Sequence, residues 1–345
     1  MRRLLIIFVV LPLLCGLPTA AQASYHAAAA SWIVIDGHSG DIQASFKPDA
    51  LLYPASLTKM LTAQVVLDRA GLGEIVHISH NAATAPADHL QWPEGATYTV
   101  EQMLYGMHLM SSNGAAIALA EYVAGSERSF IALMNDKARF LNVSKSLWAT
   151  PEGLDAYGQL ATARDLAVIA RSFMARPVLA RIARTRRYTL PWRGGHIVLQ
   201  ARNAFLKSYR GAIGIKPGYT TLAQNCLAAA AVRNGRMLIA IVMRSPSAVA
   251  DATALLDEAF ARPPVTPRFH SFRLPVFPGP AQRPDGAGPT SPAPPALDVR
   301  PSGSRSAMLP RGTVAYLALS GVVTAAIALG ATLLGLSRRK LMHMN

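Results

Sequence analysis

The sequence predicts an α+β fold for residues 28–260. Three observations predict it: strand-like apolar runs stand at both ends of this stretch, helical periodicity fills its middle, and Asn234-Gly235 joins two apolar runs. Asn-Gly in that setting is a strong hairpin signal, because a two-residue turn needs residues that tolerate positive φ. Strands and helices grouped in separate runs point to an α+β arrangement.

The elements follow in order. Residues 32–36 and 41–46 flank Gly37-His38-Ser39-Gly40, which predicts a hairpin with a four-residue loop. Residues 56–70 carry Leu57, Met60, Leu61, Val65 and Val66 at helical spacing, with a stop at Gly71. Further helices are predicted over 100–110, 114–123, 129–141 and 163–175. Strands over 186–190 and 196–200 flank Arg193-Gly194-Gly195. Strands over 225–232 and 237–243 make the Asn-Gly hairpin, and a last helix covers 248–260.

The chain has 345 residues, 51% hydrophobic and 15% charged, which excludes a mainly disordered protein. Residues 1–23 have the layout of a secretory signal peptide: Arg2 and Arg3, an apolar run, then Ala21-Gln22-Ala23. Residues 263–312 hold 13 of the 24 prolines and keep no apolar period, so they read as a proline-rich linker. Residues 313–336 carry no charge, enough for one transmembrane helix, and Arg338, Arg339 and Lys340 mark 337–345 as a cytoplasmic tail. The expected product is a single-pass cell-membrane protein with its folded body on the extracytoplasmic, periplasmic side. Between the two terminal segments stand 29 basic and 19 acidic residues. The expected export disfavours nucleic acid as a partner, and the basic excess suits an anionic envelope polymer or phospholipid headgroups. Cys15 falls in the leader and Cys226 in an apolar stretch, so no internal disulfide is expected and Cys226 reads as core.

Three short stretches carry the chemistry. Ser56-Leu57-Thr58-Lys59 places a hydroxyl and an amine on one helical face. Serine becomes a nucleophile once a base takes its proton, and lysine serves if burial or a second cation lowers its pKa. The pattern alone is weak, since Ser337-Arg338-Arg339-Lys340 also fits it. Ser111-Ser112-Asn113 offers a hydroxyl and an amide between two helices; taken alone, the stretch is better explained by ordinary helix capping. Lys216-Pro217-Gly218-Tyr219-Thr220 sets a lysine before a glycine where backbone could approach closely, or else forms a Pro-Gly turn. No histidine pattern suggests a metal site: none of the nine His forms an H-E-x-x-H or an H-x-H.

Taken together, an S-x-x-K, an S-x-N 55 residues later and a K-x-G 105 residues beyond it resemble the serine D-Ala-D-Ala carboxypeptidases. These are the low-molecular-mass penicillin-binding proteins, related to class A β-lactamases. The surroundings Tyr53-Pro54-Ala55-Ser56-Leu57-Thr58-Lys59-Met60, Thr162-Ala163-Arg164-Asp165-Leu166-Ala167 and Gly214-Ile215-Lys216 are also similar to that family. The resemblance covers residues 28–260. It implies an antiparallel sheet flanked by helices, with a helical lobe carrying the S-x-N. It implies Ser56 as nucleophile on peptidoglycan stem peptides, Lys59 as base and Ser111 as proton relay. Asn113, Lys216, Gly218, Tyr219 and Thr220 would contact substrate, with the amides of Ser56 and Tyr219 as oxyanion hole. β-Lactams would acylate the same serine, and no metal or cofactor is required.

Two departures temper that expectation. The family usually has Thr or Ser where Pro217 stands, and proline offers neither hydroxyl nor N–H to a substrate carboxylate. No arginine occurs at Ala248-Val249-Ala250, where the family often places one; Thr220, Thr221 or Arg244 are the candidate substitutes. The family's second, all-β domain is expected to be replaced by the proline-rich tether. A D,D-endopeptidase acting on cross-links, or a binding homologue weakened by Pro217, are the alternatives. A β-lactamase is disfavoured because no glutamate is clearly placed to activate deacylating water.

Overall fold

A computed structural model describes residues 27–263. The expected signal peptide, the linker beyond Pro263, the transmembrane helix and the tail lie outside the described residues. Among the described residues no helix is long and apolar enough to cross a membrane.

The chain opens with strands β1 (Ser31–Asp36) and β2 (Ile42–Phe46), paired antiparallel as the hairpin pattern predicts. A 3₁₀ turn (Ala55–Thr58) then leads directly into α1 (Lys59–Arg69). Next come β3 (Ile75–His77), α2 (His80–Ala83), β4 (Thr97–Thr99), α3 (Val100–Leu109), α4 (Asn113–Ala124) and α5 (Glu127–Phe140). After a long loop follow α6 (Ala163–Met174), α7 (Pro177–Arg184), β5 (Arg187–Trp192), β6 (Gly195–Gln200) and α8 (Ala204–Ser208). The body ends with β7 (Ala212–Thr220), β8 (Gln224–Arg233), β9 (Arg236–Ser245) and α9 (Ala248–Ala261).

The central sheet has five antiparallel strands in the order β2-β1-β9-β8-β7. Side chains alternate across a strand, and here both faces are covered. Ile33, Ile35, Ala228, Ala230, Ile239, Ile241 and Met243 join the larger core with α1, α3, α4 and α6. Val34, Leu227, Ala229, Ala231, Leu238, Ala240 and Val242 join a second core with α8 and α9. That double burial explains why β8 and β9 read as unbroken apolar runs.

Four expectations need correction. The helix predicted from residue 56 starts as a 3₁₀ turn, and α1 proper begins at Lys59. Pro217-Gly218 makes no turn: both lie inside β7, paired with Leu227 and Cys226. β7 is the outer strand of the sheet, so its free side asks no N–H of Pro217. Helix α7 went unpredicted although Pro177 at its first turn is a start signal. Helices α2 and α8 and the three-residue strands β3 and β4 were too short to show a period.

Candidate active site

The 3₁₀ turn sets Ser56 three residues before Lys59, and Lys59 Nζ lies 3.0 Å from Ser56 Oγ. Ala55, just before the serine, holds φ at +49°, a conformation that costs energy for a residue with a side chain. Lys59 is fully buried, with Nζ donating to Asn113 Oδ1 at 2.7 Å and to the Glu152 carbonyl at 2.6 Å. A neutral amine has two N–H bonds and one lone pair. Those two acceptors take the N–H bonds and leave the lone pair facing the Ser56 hydroxyl. Burial pulls the Lys59 pKa down to about 8, against the opposing pull of Glu152 and Asp88.

The second stretch resolves its two readings residue by residue. Ser112, the middle residue, caps α4 by accepting from Ala115 N at 3.0 Å. Its hydroxyl donates to Asp88 Oδ2 at 2.8 Å and accepts from Trp92 Nε1 at 2.7 Å. Asp88 Oδ2 also accepts from Gly114 N at 2.6 Å, which clamps the 85–90 loop onto this corner. Ser111 and Asn113, on either side, face the cleft. Ser111 has φ +60° and donates from Oγ to Ser56 Oγ at 2.9 Å. Asn113 Nδ2 is held by the Pro86 carbonyl at 2.8 Å.

The third stretch arrives on β7. Lys216 is fully buried and donates to Ser111 Oγ at 2.9 Å and to the Pro217 carbonyl at 3.0 Å. Burial lowers its pKa well below the usual value, and the charges of Lys59 and Arg202 push the same way. Lys216, Ser111, Ser56 and Lys59 therefore form one continuous hydrogen-bonded chain. A Cβ built on Gly218 would stand 3.0 Å from both Ser56 N and Ala55 Cβ. The glycine thus serves close approach of β7 to the nucleophile's own backbone. His108 Nε2 donates to the Ile215 carbonyl at 3.0 Å, supporting the strand next to Lys216. Burial drives its pKa down to about 3, so the ring is neutral and holds the proton for that bond.

Ser56, Ser111 and Asn113 open into a cleft of about 650 Å³ with Gly218, Tyr219 and Thr220 on its wall. Thr220 Oγ1 is already engaged, donating to Asp155 Oδ1 at 2.6 Å. Arg244 turns to the Leu222 carbonyl at 3.3 Å and is not among the cleft-lining residues. Two side chains on the wall, His89 and Arg202, escaped the sequence reading. Partial burial lowers the His89 pKa, and Arg202, Lys216 and Lys59 add to that effect. Neither residue carries a sequence signal, because an isolated arginine or histidine between elements looks like any solvated side chain. Glu152 was missed too. Its carboxyl is buried, which raises its pKa, but it does not line the cleft.

A family profile described as D-alanyl-D-alanine carboxypeptidase matches residues 18–247. D-alanyl-D-alanine carboxypeptidase DacB2 of Mycobacterium tuberculosis is 35% identical over 244 residues, 68% of this chain and 84% of that protein. DacD of Escherichia coli is 33% identical over 234 residues, 64% of this chain, which spans only 59% of that relative. Among solved structures, a D-alanyl-D-alanine carboxypeptidase from M. tuberculosis superposes with TM-score 0.68 and 34% identity, covering 72% of this chain and 96% of that one. A Streptomyces DD-transpeptidase superposes with TM-score 0.66 and 29% identity, covering 69% and 99%. The three motifs, brought into hydrogen-bonding contact on a sheet of this topology, and the match over most of the folded body lead to one assignment: the chain belongs to the D-alanyl-D-alanine carboxypeptidase family of serine peptidases.

Proposed function

We propose that the protein is a penicillin-binding serine D-alanyl-D-alanine carboxypeptidase that removes the terminal D-Ala from peptidoglycan stem peptides. The observation that carries the mechanism is the chain Lys216–Ser111–Ser56–Lys59. Neutral Lys59 takes the Ser56 proton as Oγ attacks the penultimate D-Ala carbonyl. The amides of Ser56 and Tyr219 face the developing oxyanion, a role supported by the close approach of β7 at Gly218. Ser111 passes its proton to the leaving amine and is refilled from Lys216; the C–N bond breaks and D-Ala departs. In the second half, water attacks the acyl carbon and its proton returns through Ser111 to Lys216. Lys59 then reprotonates the departing Ser56 oxygen, and every group regains its starting state. β-Lactams follow the first half and stop at the acyl-enzyme.

Because Lys59 must be neutral to accept a proton, acylation rises with pH. The rate of D-Ala release from a soluble stem pentapeptide should climb about tenfold per pH unit in acid and level off near pH 8. A flat profile, or no released D-Ala, contradicts the assignment; conversion of cross-linked dimers to monomers without D-Ala release favours the endopeptidase.

Arg202 offsets the loss of a hydroxyl at Pro217. It is an exposed cation on the cleft wall, where the terminal carboxylate of the substrate would lie. Arg202→Gln should lower kcat/KM about 10- to 100-fold, the worth of a charge-assisted bond. A substrate ending in D-alaninamide, which lacks that carboxylate, should lose little. Equal losses for the two substrates would exclude this role.

The exported, membrane-anchored placement read from the sequence belongs to the same proposal. It is supported by the charge-free run at 313–336 followed by three basic residues.

A further inference from the structure

Positive charge is distributed very unevenly over this protein. Between Asp165 and Asp251 the chain has fourteen Lys and Arg residues and not one Asp or Glu. Some of these bases are matched from elsewhere: Arg176 by Asp68, Arg181 by Glu101, Arg233 by Asp257 and Arg236 by Asp36. Six others, Arg184, Arg186, Arg187, Arg202, Lys207 and Arg210, are exposed and have no acidic partner among the described residues.

The fold gathers these six. Arg184 ends α7, and Arg186 and Arg187 enter β5 two residues later. The open end of the β5–β6 hairpin is closed by Ala201 N donating to the Arg186 carbonyl at 2.9 Å, next to Arg202. Arg186 Nη2 donates to the Leu206 carbonyl at 3.1 Å, which binds this end to α8 and its Lys207. Arg210 follows α8 immediately. One basic surface therefore runs from α7 over the hairpin base to α8, and Arg202 connects it to the cleft wall.

Six like charges without an acidic partner repel one another, and the carbonyl bonds that Arg184 and Arg186 make do not neutralise them. An anionic partner relieves that repulsion. We propose that this surface docks the carboxylate-bearing peptidoglycan polymer beyond the peptide being cut, holding neighbouring acidic stem peptides while one chain end occupies the cleft. The inference rests on the carboxypeptidase reading for the identity of the polymer. Continuity with the cleft through Arg202 favours this polymer over a lipid surface.

The test uses the full chain and Arg187→Gln/Lys207→Gln/Arg210→Gln, three residues outside the catalytic chain and the cleft wall. Co-sedimentation with insoluble peptidoglycan, stripped of phosphate polymers, measures docking; D-Ala release from a soluble pentapeptide measures the cleft. Wild-type binding should weaken when NaCl is raised from about 0.05 to about 0.5 M, where charges beyond a few ångströms are screened. The triple variant should bind the polymer about tenfold more weakly, with soluble turnover within about twofold of wild type. Peptidoglycan with its carboxylates converted to amides should bind wild type as poorly as native polymer binds the variant. Unchanged sedimentation of the variant, full binding to the amidated polymer, or an equal loss of soluble turnover would each overturn the proposal. So would charge-dependent binding to phosphatidylglycerol vesicles but not to peptidoglycan. A wild-type chain inactive on the soluble pentapeptide would instead count against the carboxypeptidase assignment, and sedimentation would still decide the surface.

Discussion

Ser56→Ala is expected to abolish covalent capture of penicillin and to lower D-Ala release by about 10⁴- to 10⁶-fold, the scale seen when a nucleophile acting with its base is removed. The change deletes one oxygen. Lys59 keeps its bonds to Asn113 Oδ1 and the Glu152 carbonyl, and Lys216 keeps Ser111. Ser56 lies on the cleft wall, so no core cavity opens, and stability should stay within about 1 kcal/mol of wild type. Intact mass after incubation with benzylpenicillin reads the result: one added penicilloyl group on wild type and none on the variant. An adduct on the variant would place the nucleophile elsewhere.

The second large effect is expected behind the site, at Gly153. Its φ is +89°, and an added Cβ would stand 2.1 Å from the Ala55 carbonyl oxygen and 2.8 Å from Thr58 Oγ1. Thr58 Oγ1 itself donates to that Ala55 carbonyl at 2.9 Å and accepts from Gln159 Nε2 at 3.0 Å, so the 3₁₀ turn has little freedom to yield. The 152–153 segment must retreat, and the Glu152 carbonyl that fixes Lys59 retreats with it. Gly153→Ala should therefore cost about 3 kcal/mol or more, combining unfavourable φ with overpacking. Penicillin acylation should slow about 100-fold, as a misplacement near 1 Å does. Gly158 provides the control: its φ is +83°, but an added Cβ meets nothing within 4 Å. Gly158→Ala should lose about 1–2 kcal/mol from φ alone and keep its acylation rate. Thermal unfolding and the second-order acylation constant measure both. Equal acylation rates for the two variants would show that the Glu152 carbonyl does not position Lys59.

Range along the chain separates what is legible in this sequence from what is not. The β1–β2 hairpin and helices α3 to α6 were legible because their signals are local: alternation, a 3.6 period, capping residues and turn dipeptides. The β8–β9 hairpin was legible through Asn234-Gly235 for the same reason. β7 was not, since whether Pro217-Gly218 turns or continues depends on lying at the sheet's outer edge, a property of strand order. Ser111-Ser112-Asn113 was ambiguous between capping and chemistry; the tertiary contacts assign the first to Ser112 and direct its two neighbours to the cleft.

By itself the sequence determined the α+β class, the spacing of three motifs and the placing of Ser56 within reach of Lys59, because residues three apart on a helical turn share a face. Only the tertiary structure decided which groups complete them. Lys216 reaches Ser111 across 105 residues, and Arg202 and His89 enter the cleft wall from loops without local signature. The depressed pKa of Lys59 likewise comes from burial beneath α4 and the 152–153 segment. Desolvation and charge proximity are properties of the packed volume, and a linear pattern does not contain them until the chain has closed on itself.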